Sequence, residues 1–284
     1  MKLRRSGRLV DMTRYMLQHP HELVPLTFFS ERYKSAKSSI SEDLAIIKEQ
    51  FEHQGVGSIL TIPGAAGGVK FTPMMNENEA KKLFEEIQEV FAKSERLLPG
   101  GYLYMTDILG DPRLMNQIGR LFSSIFAKTE IDVVMTVATK GIPFAYAIAT
   151  HLNVPVVIVR RDSRVTEGST VSINYVSGSS KRLQTMALSR RSLDAGSNVL
   201  VVDDFMKAGG TIHGMISLLE EFQANLAGIG VLVEAEGVEE RLVEEYTSMM
   251  RLEVDEKEKK INIVEGNYRS YPERLLRPTD YTIE

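Results

Sequence analysis

One segment constrains the fold more than any other: residues 198–211, N-V-L-V-V-D-D-F-M-K-A-G-G-T. Residues 199–202 form a short, wholly apolar and mostly β-branched run, the composition of a strand buried on both faces of a parallel sheet. The run stops at Asp203 and Asp204. Ionised groups resist leaving water, so two adjacent carboxylates at the end of a buried strand need a use. Phe205, Met206, Lys207, Ala208, Gly209 and Gly210 follow, and Thr211 opens an amphipathic stretch carrying Ile212, Ile216, Leu218 and Leu219. Strand, small-residue loop and helix N-terminus make an anion site, because backbone N–H groups approach a phosphate closely there and the helix end adds positive potential.

A sugar phosphate would use both halves of this segment. The carboxylates accept hydrogen bonds from ribose hydroxyls while the loop and Lys207 hold the phosphate. The alternative is an ordinary α/β turn with solvated acids. Ligands in open α/β sheets bind beyond the C-terminal strand ends, which favours the ligand. The segment resembles the phosphoribosyl pyrophosphate (PRPP) motif of type I phosphoribosyltransferases in its four apolar residues, two acids, Gly-Gly and threonine. Lys207 and Ala208 stand where many transferases have threonines, a departure that bears on catalysis.

The chain has 284 residues, enough for two domains. It has no cysteine, which excludes disulfides and thiolate metal sites. No apolar run approaches the roughly 20 residues that span a bilayer, and no apolar core follows the charged N-terminus as in a secretory signal. A cytoplasmic protein is expected, with no membrane partner, no metal and no required cofactor. The charge is uneven: residues 1–41 carry eight Lys or Arg against three Asp or Glu, and residues 76–284 carry 24 against 31. A basic segment ahead of an acidic body points to a separate anion-binding module.

The basic segment reads as three helices and a hairpin. Residues 9–17 form the first helix, with Leu9, Met12, Tyr15, Met16 and Leu17 broadly on one side, and Pro20 ends it. Thr27 is the expected N-cap of the second, which carries Phe28, Phe29 and Tyr33. Residues 35–51 form the third, with Ile40, Leu44, Ile47 and Phe51 in one stripe. Two strands, 58–62 and 69–72, flank a glycine-rich tip that includes Gly67. This order is that of a winged helix-turn-helix, whose third helix enters the major groove of double-stranded DNA by its N-terminal residues. Lys37, Ser38, Ser39 and Ser41 then face base edges or phosphates. The hairpin, with Lys70 at its base, meets the backbone or minor groove, and Arg4, Arg5 and Arg8 add charge. A small helical module for protein contacts is the alternative.

Residues 77–91 read as a charged amphipathic helix linking the modules. Beyond Leu103 strands and helices alternate: strands at 131–137, 154–159, 199–202 and 227–233, helices at 142–152, from 211, and at 238–250. Such alternation means a parallel sheet covered on both faces. The tail beyond Arg251 is left without an assignment. Ala138, Thr139, Lys140 and Gly141 make a second strand-to-helix phosphate loop that resembles the pyrophosphate loop of the same transferases. The polar stretch 160–189 is long for a passive connection. Type I transferases have a flap here, and Tyr175, Lys181 and Arg182 are its residues of interest; an exposed hairpin without a ligand role is the alternative.

The pairing of modules gives an α/β fold: an N-terminal winged helix-turn-helix (1–73), then a parallel-sheet type I phosphoribosyltransferase-like domain (74–284). It resembles the purine operon repressor family of Gram-positive bacteria. The similarity is carried by residues 35–43, 64–69, 98–102, 136–142, 166–180 and 201–211. The resemblance implies a homodimeric repressor of purine synthesis genes; the departure at Lys207 and Ala208, with no clear base-recognising stretch, leads to the expectation that the domain is not catalytic. It implies PRPP as inducer and guanosine tetraphosphate (ppGpp) as a competitor for the same pocket. It also implies nucleotide contacts from Tyr102, Ala138, Thr139, Lys140, Arg160 and the loop from Asp203 to Thr211. An active purine phosphoribosyltransferase with a regulatory appendage is the competing expectation.

Overall fold

The computed structural model describes residues 3–64, 66–161, 168–176, 183–238, 240–255 and 260–270. The first module comprises α1 (Arg5–Gln18), β1 (Leu23–Val24), α2 (Leu26–Tyr33), α3 (Lys37–His53), β2 (Gly57–Ile62) and β3 (Gly68–Pro73). Its sheet runs β1-β3-β2, antiparallel throughout. The stripe on α3 decides the packing. Ile40, Leu44, Ile47 and Phe51 are all buried, against Met12 and Met16 of α1, Phe29 and Tyr33 of α2, and Ile59 and Phe71 of the hairpin. Gly68 lets β1 lie close, since a Cβ there would sit 2.3 Å from the Val24 carbonyl oxygen. Two local expectations are corrected. Leu17 is 47% exposed, because the buried face of α1 follows Met12 and Met16. Thr27 lies inside α2, which is capped by Pro25 and has no side-chain cap.

Asn76 and Glu79 form a capping box at the start of α4 (Glu77–Phe91), whose Leu83, Phe84, Ile87 and Phe91 are buried in the second module. Beside it, the Met75 N–H donates to Ser124 Oγ at 2.7 Å, and Arg120 pairs with Glu79 at 2.8 Å. A short hairpin follows, β4 (Leu97–Leu98) and β5 (Tyr102–Leu103), then α5 (Thr106–Leu109) and α6 (Pro112–Ile125).

The main sheet is built from β6 (Val133–Val137), β7 (Val156–Val159), β10 (Asn198–Met206), β11 (Asn225–Ala235), β12 (Thr247–Asp255) and β13 (Lys260–Glu265), with α7 (Gly141–Leu152) and α8 (Gly210–Phe222) as crossovers. A separate antiparallel pair, β8 (Thr170–Val176) and β9 (Leu183–Ser189), lies between β7 and β10 in sequence. Strand order is β13-β12-β11-β10-β6-β7, parallel except for β13. Strand alternation splits the core between the two faces. Leu200 and Val202 join α6 and α7 on one side; Val199 and Val201 join α8, Tyr175 and Met186 on the other.

Two expectations are corrected in this module, and the unassigned tail finds its place. β10 does not stop at Val202 but continues through both aspartates to Met206, with Asp203 in register opposite Val231 of β11. The described residues of 238–250 form no helix: Thr247 to Asp255 form β12, because pairing with β11 buries Ser248, Met249 and Met250, a tertiary gain that outweighs helical periodicity. The unassigned tail contributes β13 and a 3-10 turn, Asn267–Ser270, whose Tyr268 is fully buried.

Candidate functional site

A cleft of about 710 Å³ opens at the C-terminal ends of β6 and β10. Its floor is the end of β10. Asp203 and Asp204 are 5% and 9% exposed, and the Asp204 N–H donates to Asp203 Oδ1 at 3.1 Å. Burial, and then the neighbouring Asp204 charge, pushes the Asp203 carboxyl well above the usual carboxylate range. Burial also raises Asp204, against the opposing pull of the Lys140 charge. Two desolvated acids side by side are a poor resting arrangement and a good acceptor pair for vicinal hydroxyls.

The loop after β10 turns through Gly209, whose φ of 81° lies in the left-handed region that glycine alone adopts readily, and α8 begins at Gly210. Ala208, Gly209, Gly210 and Thr211 line the cleft, so the α8 N-terminus faces it. Ala138, Thr139 and Lys140 form the second wall and lead into α7. Gly141 lies beneath this wall, where a Cβ would meet Thr136 Oγ1 at 2.2 Å. The third wall is the β4–β5 hairpin. The Tyr102 ring lies 5.5 Å from that of Phe205, and Lys207 Nζ sits 5.8 Å from the Tyr102 ring centre while donating to the Gly100 carbonyl oxygen at 2.8 Å. Two tilted aromatic rings, a lysine ammonium and two strand-to-helix loops therefore surround one pair of carboxylates.

Fourteen of the nucleotide-site residues expected from sequence lie in or directly beneath this cleft: Tyr102, Ala138 to Gly141 and Asp203 to Thr211, less Arg160. At the end of β7 it is Arg161 that lines the cleft, whereas the Arg160 backbone exchanges hydrogen bonds of 3.0 and 2.7 Å with Ala187. Strand alternation after Val159 is the signal that separates the two arginines. Leu98 and Pro99, from the 98–102 segment, also line the cleft, as do Gln184 on β9, Leu103 and Met105, which carry no distinctive sequence signature. Tyr175 is 5% exposed and donates to Gln184 Oε1 at 2.6 Å, so the base of the 160–189 stretch is packed against α8 and the cleft. Lys181 and Arg182 lie outside the described residues.

The other expected surface is on the first module. Lys37, Ser38 and Ser41 are exposed and Ser39 half-buried in the opening turns of α3. Arg4 and Arg5 are exposed at the start of α1; Gly67 and Lys70 are half-buried in the hairpin. Arg8 is more enclosed, with a side chain 11% exposed, and it bonds to the buried Asp43.

Fold and cleft together define a class: a winged-helix module joined to a phosphoribosyltransferase-like domain. Family comparison agrees in both halves, since residues 4–73 match the family described as bacterial purine repressor, N-terminal, and residues 105–266 match the phosphoribosyl transferase domain. The chain is 66% identical over 279 residues to the purine biosynthesis transcriptional repressor PurR of Bacillus subtilis strain 168, covering 98% of each chain. It belongs to the PurR family of purine biosynthesis transcriptional regulators. Another relative, 48% identical over 93% of this chain and 98% of its own, is named the purine biosynthesis transcriptional activator PurR of Lactococcus lactis strain IL1403. Among solved structures, adenine phosphoribosyltransferase from Thermoanaerobacter pseudethanolicus superposes with a TM-score of 0.52 at 20% identity, over 59% of this chain and 99% of that one, a likeness of fold. Among the described residues no helix is long and apolar enough to cross a membrane.

Proposed function

We propose that this protein is a homodimeric, cytoplasmic DNA-binding repressor of purine biosynthesis genes, with PRPP lowering its DNA affinity and ppGpp competing for the same cleft and favouring the DNA-bound state. The observation that carries this reading is the paired, buried Asp203 and Asp204 under the 207–211 loop, on one chain with a winged-helix module whose third helix exposes Lys37, Ser38 and Ser41. The carboxylates suit the ribose hydroxyls of PRPP, the two loops suit its phosphates, and the Tyr102 and Phe205 rings suit the purine of ppGpp. No metal or cofactor is required for such binding. Lys207 and Ala208 replace the threonines common in transferases, and Lys207 is turned onto the hairpin, which supports a domain that binds without turnover.

Binding of a labelled purine-gene control duplex, titrated with PRPP and with ppGpp, tests this. PRPP should weaken the complex, and by linkage DNA should weaken PRPP binding by the same factor. Independent binding at low and physiological salt would overturn the gating. Pyrophosphate release with guanine, hypoxanthine, xanthine or adenine would restore the enzyme reading. The name of the Lactococcus relative makes the sign of regulation a separate question, and a reporter assay answers it: expression that falls when this protein is removed would mean activation. Lys37→Ala should weaken DNA binding while leaving the fold and PRPP affinity intact, and a phosphate contact there would lower the salt slope by about one. An unchanged slope would remove Lys37 from the interface.

A further inference from the structure

Asp43 is the one acidic side chain in α3 that is completely buried. It faces two cations from another helix. Arg5 Nε donates to Asp43 Oδ1 at 3.0 Å, and Arg8 Nε donates to Asp43 Oδ2. Arg8 continues to Ser35 Oγ at 3.2 Å, in the turn before α3. Both arginines are gripped by the inner Nε nitrogen. A guanidinium has five N–H donors, so this grip leaves the outer pair available on Arg5, whose side chain remains 55% exposed. The only other ionic neighbour of Arg5 among the described residues is Glu42, at 3.9 Å and 70% exposed. Pinning α1 to α3 requires one cation on one buried carboxylate. Here a second cation is held at the surface beside Arg4 and near the exposed first turns of α3. That excess is what a polyanion would use.

We propose that Asp43 is a positioning residue for DNA-backbone recognition: it fixes the Arg5 guanidinium, with Arg8 as the bolt, so that the outer nitrogens of Arg5 take a phosphate flanking the groove that α3 enters. This rests on the DNA-binding reading above. A fixed fork loses less freedom on binding than a free side chain, and it matches the phosphate in geometry as well as charge. Charge alone predicts the opposite sign for a simple variant. Asp43→Asn removes a negative charge from the DNA-facing module, so an unoriented electrostatic surface would bind DNA more tightly. Positioning requires that the same variant bind less tightly.

The test is a salt titration of the full-length protein with the labelled control duplex, comparing wild type with Asp43→Asn, Arg5→Ala and the double variant. Asp43→Asn should weaken binding by roughly tenfold and reduce the salt slope by about one. The double variant should be no weaker than the weaker single one, because both remove the same contact. Asp43→Glu should recover part of the slope. PRPP affinity and the thermal midpoint report whether each variant is folded. If Asp43→Asn unfolds, Arg8→Lys takes its place: it keeps the charge, loses the Nε donor, and should lower the slope in the same way. Equal or tighter DNA binding by the folded variant, or additive losses in the double variant, would overturn the inference while leaving the repressor reading intact. No DNA binding by the wild type would overturn both.

Discussion

Asp203→Asn is expected to make the protein more stable and unable to respond to its effector. Both effects come from one fact, the burial of two neighbouring carboxylates side by side at the end of β10. In the free protein the pair resists ionisation, and replacing one acid with an amide of equal size removes the repulsion. In the proposed PRPP complex the same two groups would accept hydrogen bonds from ribose hydroxyls. Charged hydrogen bonds are worth about 1.5–3 kcal/mol each, so losing the one at position 203 weakens PRPP binding by roughly tenfold to a hundredfold. DNA binding should be unaffected, since the acids lie at the end of β10, outside the winged-helix module. Calorimetric titration and urea unfolding read the two halves. Normal PRPP affinity in both Asp203→Asn and Asp204→Asn would refute the role assigned to the pair.

The pair also sets a direction for pH. The folded-state pKa of each acid lies above the unfolded value near 3.8. Between those values the folded protein holds more protons than the unfolded chain, so stability falls as pH rises through that window. The contribution is fully present below the unfolded pKa and is lost as pH rises through the folded pKa. The difference in stability between wild type and Asp203→Asn should therefore shrink on acidification. A difference that is constant between pH 4 and pH 7 would show that the acids are not strained in the free state.

The parts of this architecture that were legible in the sequence are those where one residue type has one physical explanation. The β-branched run ending in Asp203 and Asp204 leads to a central parallel strand. The spacing of Ile40, Leu44, Ile47 and Phe51 leads to one buried face of α3. Glycines after strands lead to the strand-to-helix turns at 138–141 and 207–211. What was illegible depends on partners distant in sequence. The 238–250 stretch has helical periodicity, yet its Arg241, Tyr246 and Ser248 are committed to Glu234 on β11, a pairing that no local pattern announces. The choice between Arg160 and Arg161 turns on where β7 stops, and strand ends are poorly marked. No local pattern marks Asp43 as buried, because the arginines that bury it come from 38 and 35 residues away.

Arg241→Ala is the second large effect expected, and it reaches the cleft without touching a ligand. Glu234 is 5% exposed, at the end of β11. Arg241 pairs with its Oε2 at 2.7 Å, Tyr246 Oη donates to the same oxygen at 2.5 Å, and Ser248 Oγ donates to Oε1 at 2.6 Å. Burial and the Glu234 bond push the Tyr246 hydroxyl up to about 12, so it stays protonated and keeps donating. Arg241 also donates to the Ala235 carbonyl oxygen at 2.7 Å, closing the segment between β11 and β12 onto the sheet. That segment underlies the 207–211 loop: the Leu242 N–H donates to the Ala208 carbonyl oxygen at 2.9 Å, and Val243 packs where a Cβ on Gly209 would approach it to 3.0 Å. Removing Arg241 leaves a buried carboxylate with hydroxyl donors and no countercharge, which costs about 3–5 kcal/mol. Exposure of 23% at the Arg241 side chain places the loss toward the lower end, because water reaches the site. Neutralising both partners, Glu234→Gln with Arg241→Met, should recover much of that stability. Effector affinity discriminates further. If the segment shapes the loop, Arg241→Ala lowers PRPP affinity even at temperatures where the variant is fully folded, and the neutral double variant recovers stability without full recovery of affinity. Unaltered PRPP binding by folded Arg241→Ala would make the Glu234 network a support of the sheet alone.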